Sequence, residues 1–359
     1  MNESPTNSVD DDDSAGWSAI NISLASLYGD QEPQHMGTLI RYRLGGPDPL
    51  DGISAYYRES PVPHWHYVTF GFSELYGKEQ EDQEVSGYGF ELTFRLQTVQ
   101  GATEAPRWVF SLLQNLARYV FKTGNVLRPG EWMTANGPIA LDTDTKICSM
   151  AMTSDPELPA LKTPNGQLEF IQVVGLTLEE EYAAKQWSTQ QVLETLLPRM
   201  PLWITDLDRD SLLDDPALAV QVKVGMERDG SKSGFLYTDV LGVEQQKRLL
   251  RATLTEVTLG ARQVGELCDL LPLRIPFGRP FTLAGRDWQL LFEPGDACSV
   301  TMLDGRVTIT MTPACAQDFA RTLRVQAGHY QLPQLPTVSW IVQKTIIYDA
   351  NGNAVTTIG

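Results

Sequence analysis

Two alternating segments close together in the chain, at 64–70 and 90–96, limit the fold more than anything else in the sequence. In the first, His64, His66, Val68 and Phe70 alternate with Trp65, Tyr67 and Thr69. Both sets are bulky, which predicts a central strand covered on both sides. In the second, Phe90, Leu92, Phe94 and Leu96 alternate with Glu91, Thr93 and Arg95. That period of two predicts a strand with one buried and one solvated face. Gly71, Gly77, Gly87 and Gly89 lie between them, where the chain must turn. This part of the molecule is therefore committed to a sheet.

Further elements alternate in type. Val109, Leu112, Leu113, Leu116 and Val120 recur at helical spacing over 108–122, and Gly124 is a fitting stop. Strands are expected at 148–152 and 168–176, and a short one at 203–205. Thr177 with Glu180 reads as a capping box that opens a helix. The acidic segment 206–216 is the candidate linker. Beyond it, strands are expected at 218–226 and 235–241, a helical or mixed segment at 244–257, and a hairpin turning at Asp304-Gly305. A helix capped by Thr312 and opened by Pro313 follows, and two terminal strands flank the turn at 350–353. The class is α+β, or mixed α/β, in two lobes, each a mixed sheet flanked by helices. The expected division is a disordered acidic leader at 1–16, an N-terminal lobe at 17–215 and a C-terminal lobe at 216–359.

The 45 acidic residues outnumber 28 basic ones for a net charge of −17. Such a field repels a phosphate backbone and attracts basic surfaces, so no nucleic acid is expected and a basic protein or peptide is. No run approaches the roughly 18 apolar residues that span a bilayer. The N-terminus has neither a basic nor an apolar signal region, so the chain is expected in the cytoplasm, with a monomer the favoured state. Cys148, Cys268, Cys298 and Cys315 show no C-x-x-C spacing and read as reduced thiols.

Candidate chemistry is sparse. His64 and His66 share one face of a strand and could reach one metal, the basis of an alternative reading as a metal-dependent or small-molecule enzyme. No third ligand follows from spacing, and two hydrogen-bonded histidines in an aromatic sheet are the better reading. Gly87-x-Gly89 leads into a strand, which excludes a phosphate loop, and no nucleophile elbow or zinc-protease motif occurs. The acidic clusters 179–181 and Asp206, Asp208 and Asp210 read as solvated charges, and Trp187 as either a partner contact or packing. No catalytic residue, metal or cofactor is expected.

HWHYVTFGFSELYG and SGYGFELTFRL resemble the Suppressor of fused family, as do LARYVF at 116–121, QVVGLTLEE with AKQW at 172–187, and PLWITDLDR at 201–209. GMERDGSKSG at 225–234 and LLPLRIPFGRPFTL at 270–283 extend the likeness more loosely. The resemblance implies a non-enzymatic protein whose two lobes close on an extended peptide added as a strand, a mode in which main-chain hydrogen bonds give affinity. Animal members sequester a transcription factor, and bacterial relatives are proposed as immunity proteins that neutralise toxins; the compact length points to a bacterial relative. By motif, the peptide contacts fall on Tyr119, Glu131, Phe235, Tyr237, Glu266 and Leu270. A third reading is a regulatory scaffold that sequesters a peptide unrelated to toxins.

Overall fold

The computed structural model describes residues 14–141, 143–246, 253–348 and 354–359. They form two compact units, one comprising residues up to Ala184 with Thr189–Ala219, the other Lys185–Ser188 with Val220–Gly359. The first unit contains α1 (Ala15–Tyr28), β1 (Gln34–Gly37), β2 (Gly52–Arg58), β3 (His64–Phe70), β4 (Val85–Gln97), α2 (Arg107–Thr123), β5 (Trp132–Thr134), β6 (Ile147–Ser154), β7 (Leu161–Thr163) and β8 (Gly166–Thr177), then α3 (Leu178–Gln186) up to Ala184, and α4 (Thr189–Leu196). Among the described residues its strands run β1-β2-β3-β4-β8-β6-β5, with β7 also paired to β8. Among the described strands of this sheet, β4 and β8 are the pair that runs parallel.

Both faces of this sheet are covered, so every residue of β3 is buried. On one face, Val109, Leu113, Leu116 and Val120 of α2 pack with Tyr67, Leu92 and Phe94. On the other, Ile20 and Leu24 of α1 pack with Val68, Phe70 and Phe170. Helix α2 stops at Gly124, whose φ of 73° suits glycine at a C-cap. The expected solvated face of β4 is corrected: Glu91, Thr93 and Arg95 are fully buried, because hydrogen-bonding partners stand over each of them.

The acidic run at 179–181 is corrected in the same way. The capping box forms, with Thr177 N–H donating to Glu180 Oε2 at 3.0 Å and Glu180 N–H to Thr177 Oγ1 at 3.4 Å. Glu180 and Glu181 are nevertheless buried. Glu180 accepts two bonds from the Arg209 guanidinium, at 2.6 and 2.7 Å, and one from Leu212 N–H at 2.9 Å. These bonds tie the expected linker segment into the first unit. The short strand expected at 203–205 is a 3-10 turn, Pro201–Trp203, followed by a single bridge from Thr205 to Leu96.

The strand expected at 218–226 is the helix α5 (Pro216–Asp229). Asp215 accepts the Ala217 N–H at 2.9 Å and Pro216 takes the first helical position, both helix-starting devices. Leu218, Val222 and Gly225 are buried at helical spacing, while Val220 and Val224 are exposed. Gly225 lets the Trp187 indole lie against the helix, since a Cβ there would stand 2.2 Å from Cζ2. Trp187 is accordingly a packing residue, and its Nε1 donates to Asp229 at 3.0 Å.

The second unit continues with β9 (Phe235–Tyr237), β10 (Leu241–Gln246), β11 (Leu254–Gly260), α6 (Ala261–Leu270), β12 (Phe281–Ala284), β13 (Gln289–Pro294), β14 (Ser299–Leu303), β15 (Arg306–Met311), α7 (Pro313–Thr322), β16 (Gly328–Gln331), β17 (Val338–Gln343), β18 (Thr345–Tyr348) and β19 (Ala354–Ile358). Among the described residues these give a sheet β10-β11-β17-β16, a sheet β14-β15-β13-β12-β9 and the hairpin β18-β19. One core joins the two larger sheets to α6 and α7, with Trp340 stacked on Phe292 and edge-on to Phe319. The hairpin turns at Asp304 and Gly305, with φ of 44° and 76°, as the sequence predicts. The expected helical character at 244–257 is corrected: its ends belong to the antiparallel strands β10 and β11, and 247–252 lie outside the described residues. The turn at 350–353 and residues 1–13 of the leader also lie outside them, whereas Ala15 and Gly16 belong to α1.

Candidate functional site

The two histidines of β3 belong to a sealed polar array. His64 Nδ1 donates to the Val62 carbonyl at 2.7 Å, and His66 Nδ1 faces the Tyr28 hydroxyl while its Nε2 stands 3.4 Å from Asp155. Arg95 grips Asp155 through two nitrogens, at 2.6 and 3.0 Å, and also reaches Glu157 at 3.0 Å and the Gln172 side-chain oxygen. Asp155 further accepts from the Thr93 hydroxyl and the amides of Glu157 and Leu158. Burial pushes the Asp155 carboxyl up, but His66 and Arg95 outweigh it and hold the group well below the usual carboxylate range. Burial also lowers both histidines to about 4. Glu91 is pushed up to about 7 by burial, against the pull of Ser73, Thr69 and Gly71.

His64, His66, Arg95 and Thr93 are all at most 1% exposed, so no solvent-borne substrate meets them. Among the described residues, no group of three or more His, Cys, Asp or Glu side chains could hold a metal. His64 and His66 are thus enclosed within the sheet rather than open to a ligand from solvent. The array's chemistry is structural: it pairs buried charges and joins β3, β4 and β8 to α1 and the 155–158 loop.

The residues expected to contact a partner are placed in three different ways. Tyr119 is half-exposed on α2, its hydroxyl accepting from Asn125 Nδ2 at 2.9 Å. Glu131 is exposed just before β5, an edge strand of the first unit's sheet, and its carboxylate accepts the Arg128 N–H at 3.0 Å. Phe235 and Tyr237 are 58% and 59% exposed on β9, an edge strand of the second unit. Glu266 is largely covered and lies 3.6 Å from Lys185 and 3.9 Å from Arg262. Leu270 is corrected as a surface contact: it is 1% exposed within the core, because α6 turns its 261, 264, 267 and 270 positions inward.

The main chain of β9 is as informative as its side chains. Thr282 N–H donates to the Gly234 carbonyl and Thr238 N–H to the Ala284 carbonyl, in parallel pairing with β12. Residues 234, 236 and 238 therefore face β12, and the amides and carbonyls of Phe235 and Tyr237 point the other way. Among the described residues no strand occupies that side. Edge position and outward register were the signals sequence reading lacked, since neither β12 nor its parallel pairing follows from the local pattern.

These features define a class first: an α+β chain of two units, each built on mixed sheets with helices and presenting open strand edges. The model of the Suppressor of fused protein (SUFU) family matches residues 46–210. Suppressor of fused homologues of Mus musculus and Homo sapiens are each 39% identical over 234 residues, which cover 60% of this chain and 48% of theirs. The chain spans about half the length of the curated relatives it matches. The crystal structure of Drosophila Suppressor of Fused superposes with a TM-score of 0.79 over 92% of this chain and 97% of that one, at 24% identity. A chain in the Sufu-Fu complex crystal structure is 33% identical, with a TM-score of 0.55 over 58% of this chain and 97% of that one. The chain belongs to the Suppressor of fused family. No helix among its described residues is long and apolar enough to cross a membrane.

Proposed function

We propose that this chain is a non-enzymatic, cytoplasmic protein-binding module, monomeric by itself, that captures an extended basic segment of a partner by adding it as a strand to β9. The observation that carries this reading is the outward main chain of Phe235 and Tyr237, with both aromatic rings exposed beside it. Strand addition draws affinity from such main-chain groups and selectivity from alternate side chains. The net charge of −17 favours a basic partner. A complex between family members' namesake and a second protein, Fu, supports protein capture as the family's mode of action. In its narrower form the partner is a toxin, and a compact chain of this charge acts as its immunity protein.

The test separates main chain from side chain. A display library of extended basic peptides is selected on the immobilised protein, and the selected peptides are titrated against variants. Tyr237→Pro removes an outward N–H without touching a β9–β12 bond, and proline is tolerated on edge strands. It should abolish binding, whereas Tyr237→Ala should weaken it about tenfold, a loss of about 1.4 kcal/mol. Equal binding by wild type and Tyr237→Pro would rule out strand addition at β9. Lack of protection when the chain is co-expressed with a toxin encoded beside it would remove the narrower form alone.

A further inference from the structure

Cys298 and Cys315 meet on a single hydroxyl. Thr312 Oγ1 caps α7 by accepting the Cys315 N–H at 3.1 Å, and the same oxygen stands 3.9 Å from Cys298 Sγ. The register that sets Ser299 opposite Thr310 places Cys298 beside the Met311–Thr312 step, so the convergence is built into the hairpin. After burial, the neighbouring Cys298 side chain is the next largest influence pushing the Cys315 thiol up, so the two side chains lie within interaction range. Cys298 also donates to Gln334 Oε1 at 3.6 Å, and Gln334 in turn bonds Asp318 of α7. The Cys298 sulfur is thus held between the start of β14 and the first turn of α7. Cys148 lies in β6 of the other unit and Cys268 on α6, so this is the cysteine pair that the described hydrogen bonds bring together.

We propose that Cys298 and Cys315 are a thiol–disulfide site, closed by exchange with a low-molecular-weight disulfide of the glutathione type. The two thiols have different roles because their surroundings differ. Cys298 is partly exposed and Cys315 is buried. Burial pushes the Cys315 thiol up, which makes it a poor first nucleophile. Cys298, as thiolate, attacks one sulfur of the small disulfide, forming a protein–glutathione bond and expelling one glutathione thiolate. Cys315 then gives up its proton, attacks Cys298 Sγ and expels the second glutathione thiolate. The protein loses two electrons and two protons, and the small disulfide becomes two thiols. The N-terminus of α7 favours the negative charge that develops on Cys315 in the second step. The bond closes a loop that holds β14, the Asp304-Gly305 turn and β15.

The experiment is incubation of the full chain with oxidised glutathione, followed by intact mass, a non-reducing peptide map and thermal unfolding. The expected product has lost the mass of two hydrogens, carries one linked peptide pair containing Cys298 and Cys315, and melts about 5–10 °C higher in the second unit's transition. Cys315→Ser should stop at one glutathione on Cys298. Cys298→Ser should leave Cys315 unmodified, and because position 298 is partly exposed this variant keeps the test valid even if Cys315→Ser misfolds. A wild-type product that stops at the glutathione adduct, a link between Cys298 and Cys268, or two thiols that stay fully alkylable would each overturn the proposal.

Discussion

Replacing Arg95 with methionine should cost the first unit about 3–5 kcal/mol, because it leaves Asp155 as a buried charge without its main partner. The guanidinium supplies two bonds to Asp155, one to Glu157 and one to Gln172, all of which methionine forfeits while keeping much of the stem's volume. Asp155 retains the Thr93 hydroxyl, two backbone amides and His66, but its desolvation is unchanged. The folded carboxyl of the wild type lies below its unfolded value, so its stabilisation is present above the unfolded value of about 3.9 and is lost as pH falls toward the folded one. Methionine removes much of that stabilisation, so the gap between wild type and variant should be widest near neutrality and narrow below about pH 4. Adding Asp155→Asn should return about 1–3 kcal/mol, since the stranded charge is gone. Urea unfolding followed by hydrogen exchange of β3 and β4 amides reads the effect. At an m-value of about 2 kcal/mol/M, the midpoint should fall by about 2 M. A loss below about 1 kcal/mol, as for an exposed pair, or a double variant no better than the single one, would refute the account.

Three other changes test other layers of the structure. Gly225→Val should destabilise by about 1–3 kcal/mol in chemical denaturation, because the added carbons collide with the Trp187 ring, and Trp187→Leu should relieve part of the cost. Leu270→Ala should cost about 2–5 kcal/mol of second-unit stability while leaving peptide affinity unchanged in the folded fraction, in contrast to Tyr119→Ala, which should weaken binding at constant melting temperature. The melting temperature should fall as pH drops from 6.5 toward 4, because unfolded histidines take up protons that buried His64 and His66 refuse; each is worth about 3 kcal/mol, and His64→Gln should flatten the slope. Glu91, pushed up to about 7, works the other way, losing stability as pH rises from 4.5, so the His64→Gln difference is the quantity to measure.

The sheet of the first unit was readable because β3 and β4 carry their period locally, and α2 because five apolar residues share one face. Burial of Glu91, Thr93 and Arg95 was not, since polar alternation has the same pattern whether water or a salt-bridged lid covers it. Asp155, which covers Thr93 and Arg95, comes from a loop sixty residues on from Arg95, and the partners over Glu91 are Thr69 and Ser73. The helix α5 misleads for a related reason: Val220, Val222 and Val224 alternate like a strand, yet only Val222 is buried, and the Asp215–Pro216 start outweighs β-branched propensity. Of the six expected partner residues, Tyr119, Glu131, Phe235 and Tyr237 reach the surface. Glu266 and Leu270 do not stand free: Lys185 and Arg262 lie beside the Glu266 carboxylate, and Leu270 is on the inward face of α6, which sequence spacing alone assigns to no side.

What sets β9 apart is the company of its outward groups rather than its being an edge. The strands β1, β5, β10, β14 and β16 are edges too among the described residues. Proteins blunt such edges with charge, with brevity or with cover. β10 carries Glu244, Gln245 and Gln246 exposed along its end, a charged and polar guard. β14 exposes Ser299, Thr301 and Leu303, with no large aromatic among them. β9 has neither charge nor cover: its two outward residues are Phe and Tyr, the types enriched at the centres of protein interfaces. Its one protective feature is brevity, and three residues suffice to keep it from pairing indiscriminately while still aligning a peptide whose side chains fit the two rings. An aromatic, unguarded edge is a ready template for another chain, and a net charge of −17 repels acidic chains while attracting basic ones, which is the physical argument for the basic partner proposed at β9.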